Sequence, residues 1–357
     1  TQTAILTKEA LRLLDLGEHV AAFLTFSQAL DLGQPDQEDI DVFVESASKL
    51  DYTPLLEQIE SWKIENGVIP GPAIEYSLSP SIILEGTATI LVNKGFKLER
   101  GVGYPDQVIG SGFFVDPRGY LITNYHVINS EVDPEYEGFS RLFIRLHGSE
   151  NERIPARLIG WDSILDIALL KAEVEPGYFF PIDPSVSYEP GERIYAIGSP
   201  GGLLSTVTSG IVSATGRRFL QIGDALQVDV PINPGNSGGP LLNEEGRLIG
   251  VVFAGIEQFE GVNFAIPSRW ITHIVPRLFL GGSVQHSWMG MAVEQTREGL
   301  EISYVVPGEP AARAGLAQGD LLLSMNGLPA ESVESAQALL IELSPDTLIK
   351  MEWEREG

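Results

Sequence analysis

The run Val230-Pro231-Ile232-Asn233-Pro234-Gly235-Asn236-Ser237-Gly238-Gly239-Pro240 sets a serine inside a glycine-rich turn, with an apolar pair, Leu241-Leu242, directly after it. Glycine takes positive φ and lets a second backbone approach closely, so such a turn can aim two N–H groups at one point. An acyl-transfer nucleophile needs that arrangement, a hydroxyl on a tight turn with amide donors turned toward the developing oxyanion. An ordinary Ser/Gly loop has the same composition, so the reading depends on partners elsewhere in the chain.

Those partners are a base and a group that orients the base. Of the five histidines, His19 and His273 lie in helical contexts, His147 begins a polar turn, and His286 follows a Gly/Ser hinge. Only His126 follows a hydrophobic strand, in Gly119-Tyr120-Leu121-Ile122-Thr123-Asn124-Tyr125-His126-Val127-Ile128. The orienting group should be a carboxylate held against an apolar strand, where it can fix the imidazole tautomer. Asp166 heads Ile167-Ala168-Leu169-Leu170-Lys171 and fits. Asp162 competes, but Trp161-Asp162-Ser163 reads as an exposed turn, so Asp166 is preferred.

Outward from these residues, the chain changes texture three times. Residues 1–66 read as helical: Lys8 to Leu14 carries apolar residues at a helical period and stops near Gly17, and Val20–Leu32, Asp39–Lys49 and Thr53–Ile64 continue the pattern. Ala22, Phe26 and Ala29 fall at the packing positions of a tetratricopeptide (TPR) half-repeat, with Pro35 where its helix should stop. Residues 1–65 hold 4 basic and 13 acidic side chains, a net of −9, as suits either solvated helix faces or a docking surface. Residues 67–80 contain three prolines and two glycines and read as a linker. From 81 to 280 short β-rich runs alternate with glycine, as in an all-β barrel or sandwich, closed by a helix at Trp270–Phe279 that Pro276 should kink. After a Gly281-Gly282-Ser283 hinge, residues 284–357 read as a compact α/β module.

Composition narrows the function. A length of 357 residues suits two or three domains, and 43% hydrophobic residues supports ordinary cores. No apolar run approaches 18 residues. With no cysteine, disulfides, thiolate catalysis and Cys-based metal sites are excluded. A formal charge of −26 argues against binding nucleic acid or anionic lipid nonspecifically. Glu131, Asp133, Glu135 and Glu137 read as a solvated acidic turn rather than a calcium loop, so no metal and no cofactor are expected.

The order His126, Asp166, Ser237 and the words around it resemble chymotrypsin-like serine proteases of the HtrA/DegP family. The matching words are Gly110-Ser111-Gly112-Phe113-Phe114-Val115-Asp116, Thr123-Asn124-Tyr125-His126-Val127-Ile128, Asp166 to Lys171, Thr206 to Ala214, Ile232 to Pro240 and Asn263 to Ser268. Val306-Pro307-Gly308-Glu309-Pro310-Ala311-Ala312-Arg313-Ala314-Gly315-Leu316 and Gly319-Asp320 resemble the family's PDZ domain. The resemblance implies an all-α N-terminal region, a double β-barrel protease over 81–280 and an α/β PDZ domain over 284–357.

It also implies a mechanism: Ser237 attacks the scissile carbonyl, His126 shuttles the proton, and Asp166 orients the imidazole. The N–H groups of Gly235 and Ser237 form the oxyanion hole, with Asn236 between them setting its shape. Ser199–Leu204, Arg217–Asp224 and Ile232–Pro234 correspond to the segments that switch that hole in the family. Pro231 stands six residues before the nucleophile, where trypsin-type enzymes place an acid, so no pocket for basic residues is expected. Ile232, Phe253, Ala254 and Ala265 would line an apolar S1 pocket, unless some of them fill the barrel core. Trp288-Met289-Gly290-Met291 would hold a peptide C-terminus, although Trp288 departs from the family's usual residue there.

The expected activity is ATP-independent endoproteolysis of unfolded or misfolded proteins, regulated by C-terminal peptides at the PDZ domain. Two alternatives stand beside it: a catalytically silent chaperone or binding scaffold, and a selective processing protease with one native substrate. By resemblance the assembly is a homo-oligomer, a trimer, in the bacterial periplasm or envelope. A start at Thr1 leaves room for a removed leader or an upstream membrane anchor.

Overall fold

The structure, a computed structural model, describes residues 2–65, 80–99, 101–149, 152–183, 185–202, 205–219, 222–255, 261–343 and 345–355. The linker expected over 67–80 lies outside these residues except for Pro80, which opens a short helix. The chain divides into two compact units, residues 1–215 with 225–284, and residues 216–224 with 285–357.

The first unit opens with α1 (Gln2–Asp15), α2 (His19–Leu32), α3 (Gln37–Lys49) and α4 (Thr53–Glu65). Gly17 ends α1 in the left-handed region at φ 74°, and the N–H groups of Gly17 and Glu18 close back on Leu14 and Leu13 at 2.9 Å each. That closure satisfies carbonyls the helix end would otherwise leave open. Helix α2 is apolar on nearly every side because it has neighbours on every side: from Val20 to Leu30 only Gln28 escapes burial. Ala22, Phe26 and Ala29 are fully buried, Phe26 stacking on Phe43 at 3.9 Å between ring centroids.

Helix α5 (Pro80–Glu85) leads into six strands: β1 (Thr87–Glu99), β2 (Val102–Asp116), β3 (Tyr120–Thr123), β4 (Arg141–Leu146), β5 (Ile154–Asp162) and β6 (Ile167–Ala172). A one-turn helix, α6 (Tyr125–Ile128), follows β3. The strands run β5-β4-β1-β2-β3-β6, and β5 pairs with β6 to close the cylinder. Ile90, Val92, Phe114, Leu121, Ile144 and Leu170 fill it. The alternation of Ile90 and Val92 on β1 is the period of two that directs one strand face inward.

The second barrel closes in the order β10-β11-β12-β9-β8-β7, from β7 (Arg193–Gly198), β8 (Thr206–Phe219), β9 (Ile222–Val228), β10 (Pro240–Asn243), β11 (Leu248–Gly255) and β12 (Asn263–Pro267). Helix α7 (Ser268–Phe279) follows with Pro276 inside it, and it packs against α2, β5 and β11. The hinge read at 281–283 is corrected by the structure. Residues Gly282–Ser283 form a short strand, β13, parallel to Gly160–Trp161, and Val284 N donates to Trp161 O at 2.8 Å. Gly160 permits this seat, since a Cβ there would strike the carbonyl of Leu278 at the end of α7.

The helical bundle is fastened to the barrels. Tyr52, between α3 and α4, is fully buried; its hydroxyl donates to Ile182 O at 2.9 Å and accepts from Ile182 N at 3.2 Å. Ile182 lies in the segment joining the two barrels. Arg247, in the β10–β11 turn, grips Glu57 of α4 with two bonds of 2.9 Å and Asp183 at 3.0 Å. Arg118, in the β2–β3 turn, bridges Asp116 at 2.7 Å and Glu18 at 3.1 Å.

The second unit contains a sheet of β14 (Met291–Gln295), β15 (Leu300–Val305), β16 (Leu321–Met325), β17 (Leu328–Pro329) and β18 (Met351–Glu354), with α8 (Pro310–Arg313) and α9 (Val333–Glu342). Leu300, Leu322, Met325 and Val333 centre its core. Ser332 and Ser335 cap the start of α9 reciprocally. Asp320 is buried and is held by Arg355 at 2.6 and 2.8 Å and by Ala317 N at 2.7 Å.

Candidate active site

His126 sits in α6, the turn that follows β3, and Asp166 sits immediately before β6, the strand paired with β3. The antiparallel pairing of Thr123 with Ala168 therefore brings residues 40 apart in sequence together. Asp166 takes φ 55°, a left-handed conformation that Asp tolerates better than most residues. One carboxylate oxygen meets His126 Nδ1 at 2.6 Å and the other accepts the His126 backbone N–H at 2.7 Å. The Asp166 carbonyl accepts from Tyr125 N at 3.1 Å and from Asn124 Nδ2 at 2.9 Å. Four hydrogen bonds thus hold one aspartate against one imidazole, which leaves Nε2 as the ring nitrogen available for proton transfer.

Asp162 is not the exposed residue that its local sequence suggests. It is fully buried, and one oxygen accepts the N–H groups of Ile164 and Leu165 at 2.9 Å each. It builds the turn that delivers Asp166 rather than contacting His126.

Ser237 comes from the other barrel, in the turn before β10. Its hydroxyl donates to Phe253 O at 3.2 Å, and among the described residues it makes no bond to His126. Phe253 is the bulged residue of β11, between Val252 and Ala254 in their pairing with β12. A bulge re-aims the backbone at that point. The Phe253 ring lies edge-on to His126 at 6.2 Å between centroids, so one residue touches both members of the pair. Gly110 completes the junction: a Cβ there would strike the Val127 side chain and lie 3.3 Å from Ser237 O.

The turn's N–H groups are committed with two exceptions. Asn236 N donates to Asn233 O at 3.0 Å, Gly238 N to Val252 O at 2.8 Å and Gly239 N to Asn236 O at 3.0 Å. The carbonyls of Pro234, Gly235, Ser237 and Gly239 accept from Gly201 N, Ser111 Oγ, Ser111 N and Val252 N. The N–H groups of Gly235 and Ser237 make no hydrogen bond among the described residues. Gly235 (φ 108°) and Gly238 (φ 86°) both take conformations that favour glycine. Asn236 is buried with its side chain against Gly198 and its Oδ1 without a partner. Its own amide is already used, so its place is between the two open donors and not among them.

Around the serine, Ile232 packs on the second barrel's core and Ala265 belongs to that core. Phe253 is buried beside His126, and the side chain of Ala254 lies outside the described residues. Of the remaining histidines, His147 Nδ1 meets Ser205 Oγ at 2.8 Å. Burial holds His19 below the usual range, helped by Arg118, and pushes His273 down to about 4, helped by Arg277 and Arg269. Glu131 bonds Ser140 and Asp133 caps the amide of Glu135 at 2.9 Å, so these acids order their own loop.

In the second unit, Trp288 is exposed, Met289 O accepts from Ala311 N at 2.9 Å and Gly290 O accepts from Val306 N at 2.7 Å. The N–H groups of residues 288–290 make no hydrogen bond among the described residues. Met291 begins β14, which has one neighbour in the sheet and so keeps an open edge, with α9 packed beside it.

Two closed six-stranded barrels, with a His–Asp pair on one and a serine turn on the other, define a chymotrypsin-like peptidase fold followed by a PDZ-type sheet. A family profile described as a trypsin-like peptidase domain matches residues 110–251, and one described as a PDZ domain matches residues 301–355. A protein of Chlamydia pneumoniae named "Probable periplasmic serine endoprotease DegP-like" is 35% identical over 270 residues, 71% of this chain and 53% of that protein. A protein of Pseudomonas fulva with the same name is 35% identical over 268 residues, 70% of this chain and 54% of that one. The chain therefore spans about half the length of the curated relatives it matches. Among solved structures, the serine endoprotease from Yersinia pestis is 33% identical, with 79% of this chain and 95% of that one covered at a TM-score of 0.59. The HtrA-type protease AlgW with a decapeptide is 26% identical, with 78% and 93% covered at a TM-score of 0.65. The chain belongs to the HtrA/DegP family of serine proteases.

Proposed function

We propose that this chain is a serine endopeptidase in which Ser237 is the nucleophile, His126 the general base and then acid, and Asp166 the group that orients His126. The observation that carries the reading is the doubly bonded Asp166–His126 pair beside a serine turn with only the Gly235 and Ser237 amides open. Ser237 Oγ attacks the scissile carbonyl as His126 Nε2 takes its proton, and the two amides receive the oxyanion. His126 then protonates the leaving amine, and water repeats the sequence on the acyl-enzyme. Before attack the hydroxyl must leave the Phe253 carbonyl for His126, a rotation about one side-chain bond.

Ile232, Phe253 and Ala254 favour a small or medium aliphatic side chain at the cleavage site, with Pro231 offering no acid to a basic one. The substrates are unfolded or misfolded proteins, cleaved without ATP. A peptide C-terminus docks on residues 288–291 and adds a strand to the open edge of β14. The relatives' names support a periplasmic setting, and the family supports a trimer. Among the described residues no helix is long and apolar enough to cross a membrane. The helical region supplies a TPR-like module on the protease.

The test is cleavage of casein by the parent and by Ser237→Ala, with and without C-terminal peptides as activators. Cleavage by the parent and its loss in the variant is the expected result. Equal silence of both, with and without peptide, would overturn the reading in favour of a scaffold.

A further inference from the structure

Ser111 lies in the middle of β2, on the first barrel, and is almost fully buried. Two of its polar atoms make three bonds outside its own sheet. Its N–H donates to Ser237 O at 2.8 Å, its hydroxyl donates to Gly235 O at 2.6 Å, and that hydroxyl oxygen accepts from Ser199 N at 2.9 Å. Its carbonyl accepts from Thr123 Oγ1 at 2.7 Å. The same residue therefore holds the carbonyls on both sides of Asn236 while the amides of Gly235 and Ser237 stay open.

The geometry of a peptide chain explains why that matters. Gly235 O belongs to the peptide plane that separates the planes carrying the Gly235 and Ser237 N–H groups. The plane before it is pinned by Gly201 N on Pro234 O at 2.9 Å, and the plane after it by Gly239 N on Asn236 O at 3.0 Å. Both pins come from the second barrel. The central plane is pinned within the second barrel by Asn236 N on Asn233 O at 3.0 Å, and it alone of the three is also held from the first barrel, the one that carries His126 and Asp166, through Ser111 Oγ on Gly235 O. Gly235 at φ 108° gives that plane more rotational freedom than any other residue would. Without the hydroxyl, Gly235 O keeps only Ser199 N, at 3.4 Å.

We infer that Ser111 is a positioning residue of the peptidase reaction: its hydroxyl sets the angle between the two oxyanion donors and registers them against the His–Asp pair. A buried chain of hydroxyls extends this control. Ser199 Oγ meets Thr89 Oγ1 at 2.6 Å, and Thr89 is the cross-strand partner of Ser111 on β1. The segment that begins at Ser199 therefore senses the first barrel through the same site. Ser111 touches no reacting atom; it acts through Gly235.

The inference rests on the peptidase reading, and the experiment separates the two. Ser111→Ala, Ser111→Cys, Ser199→Ala and Ser237→Ala are compared with the parent on a quenched fluorescent peptide. Ser111→Cys keeps the volume but offers only a weak donor, so it carries the test if the alanine variant does not fold. Both Ser111 variants are expected to lose about 10- to 100-fold in kcat with KM little changed, the signature of support made only in the transition state. Inhibition by a peptide boronate, whose adduct places an oxygen in the oxyanion site, should weaken by a similar factor. Ser199→Ala leaves the Ser111–Gly235 bond in place and removes only the link to Thr89, so its loss in kcat should be smaller than that of either Ser111 variant. An active parent with Ser111→Cys unchanged in kcat and boronate affinity would overturn this inference alone. A silent parent would overturn the peptidase reading and this inference with it.

Discussion

Replacing Tyr52 with phenylalanine removes one oxygen atom and tests whether the helical bundle is part of the protease unit. That oxygen is both acceptor to Ile182 N and donor to Ile182 O, and both residues are buried. In the Phe variant both backbone groups of Ile182, itself fully buried, lose that partner. A buried group stripped of its partner costs about 1–3 kcal/mol, and the longer 3.2 Å bond belongs at the low end of that range. The sum is about 2–4 kcal/mol, roughly a 30- to 700-fold loss in the folding equilibrium. Urea unfolding followed by far-UV circular dichroism measures it, since the bundle supplies most of the helix. The midpoint should fall with the slope unchanged, and the Ile182 amide should exchange with solvent faster in the native state. A shift below about 0.5 kcal/mol with unaltered exchange at Ile182 would refute the reasoning.

The remaining predictions concern pH, the PDZ unit and the serine turn. His273 titrates near 4 in the fold and near 6.5 when unfolded, so between those values the unfolded chain binds the extra proton and stability falls as pH drops. His273→Gln should flatten about 2–3 kcal/mol of that loss, read from urea midpoints between pH 7 and pH 4; an unchanged slope in the variant counts against it. Arg355→Met strips the buried Asp320 carboxylate of two bonds and should destabilise the PDZ unit by about 2–4 kcal/mol, measured by its thermal transition. A variant melting with the parent would mean that Ala317 N alone suffices. Gly238→Ala forces a side chain into φ 86° against Ser111 O and Thr123 Oγ1, and should cost about 2–4 kcal/mol and at least 100-fold in peptide cleavage. Full activity with a parental melting temperature would show that the turn yields more easily than its contacts imply.

The residues proposed as the triad are legible because each lies in a short sequence word whose local geometry does the work: a serine in a glycine turn, a histidine after an apolar strand, an aspartate at a strand's head. The structure brings His126 and Asp166 together through the pairing of β3 with β6, which the two apolar runs already suggest. What the chain conceals depends on partners far away. Asp162 reads as exposed because its neighbours are a turn; its burial comes from the same turn folding back on its own carboxylate beneath α7. The Gly281-Gly282-Ser283 hinge reads as free because its pairing partner, Gly160–Trp161, lies 120 residues earlier. Ala265 alternates like any pocket-lining residue, but only the closed barrel shows that its face is the inner one. Ser111 carries no local signal at all, since a serine in Gly110-Ser111-Gly112 is ordinary in a strand and its partners lie 88 to 126 residues away.

These distant contacts share a direction. In the proposed reaction the nucleophile stands on one barrel and its base on the other, so that chemistry would depend on how the barrels register against each other to a fraction of an ångström. Hydrophobic packing spans the two barrels through α7, whose buried Trp270, Ile274 and Leu278 lie on a helix packed against β5 and β6 of the first and β11 and β12 of the second. Polar contacts that cross between the barrels add to it, Thr89 with Ser199 and Arg145 with Gly202 among them. Ser111 makes such contacts at the serine turn, while in the joining segment Tyr52 of the helical bundle holds Ile182 and Arg247 of the second barrel holds Asp183 together with Glu57 of the bundle. The bundle is therefore fastened to the segment that joins the two barrels, as well as to Arg118 of the β2–β3 turn through Glu18. Loosening Tyr52 should reach the oxyanion donors through that segment, and loosening Ser111 should reach them directly. A Tyr52→Phe variant that stays folded yet loses kcat in the same ratio as its affinity for a peptide boronate would place both residues in one mechanical system. Stability lost with kcat intact would confine the bundle to holding the fold together.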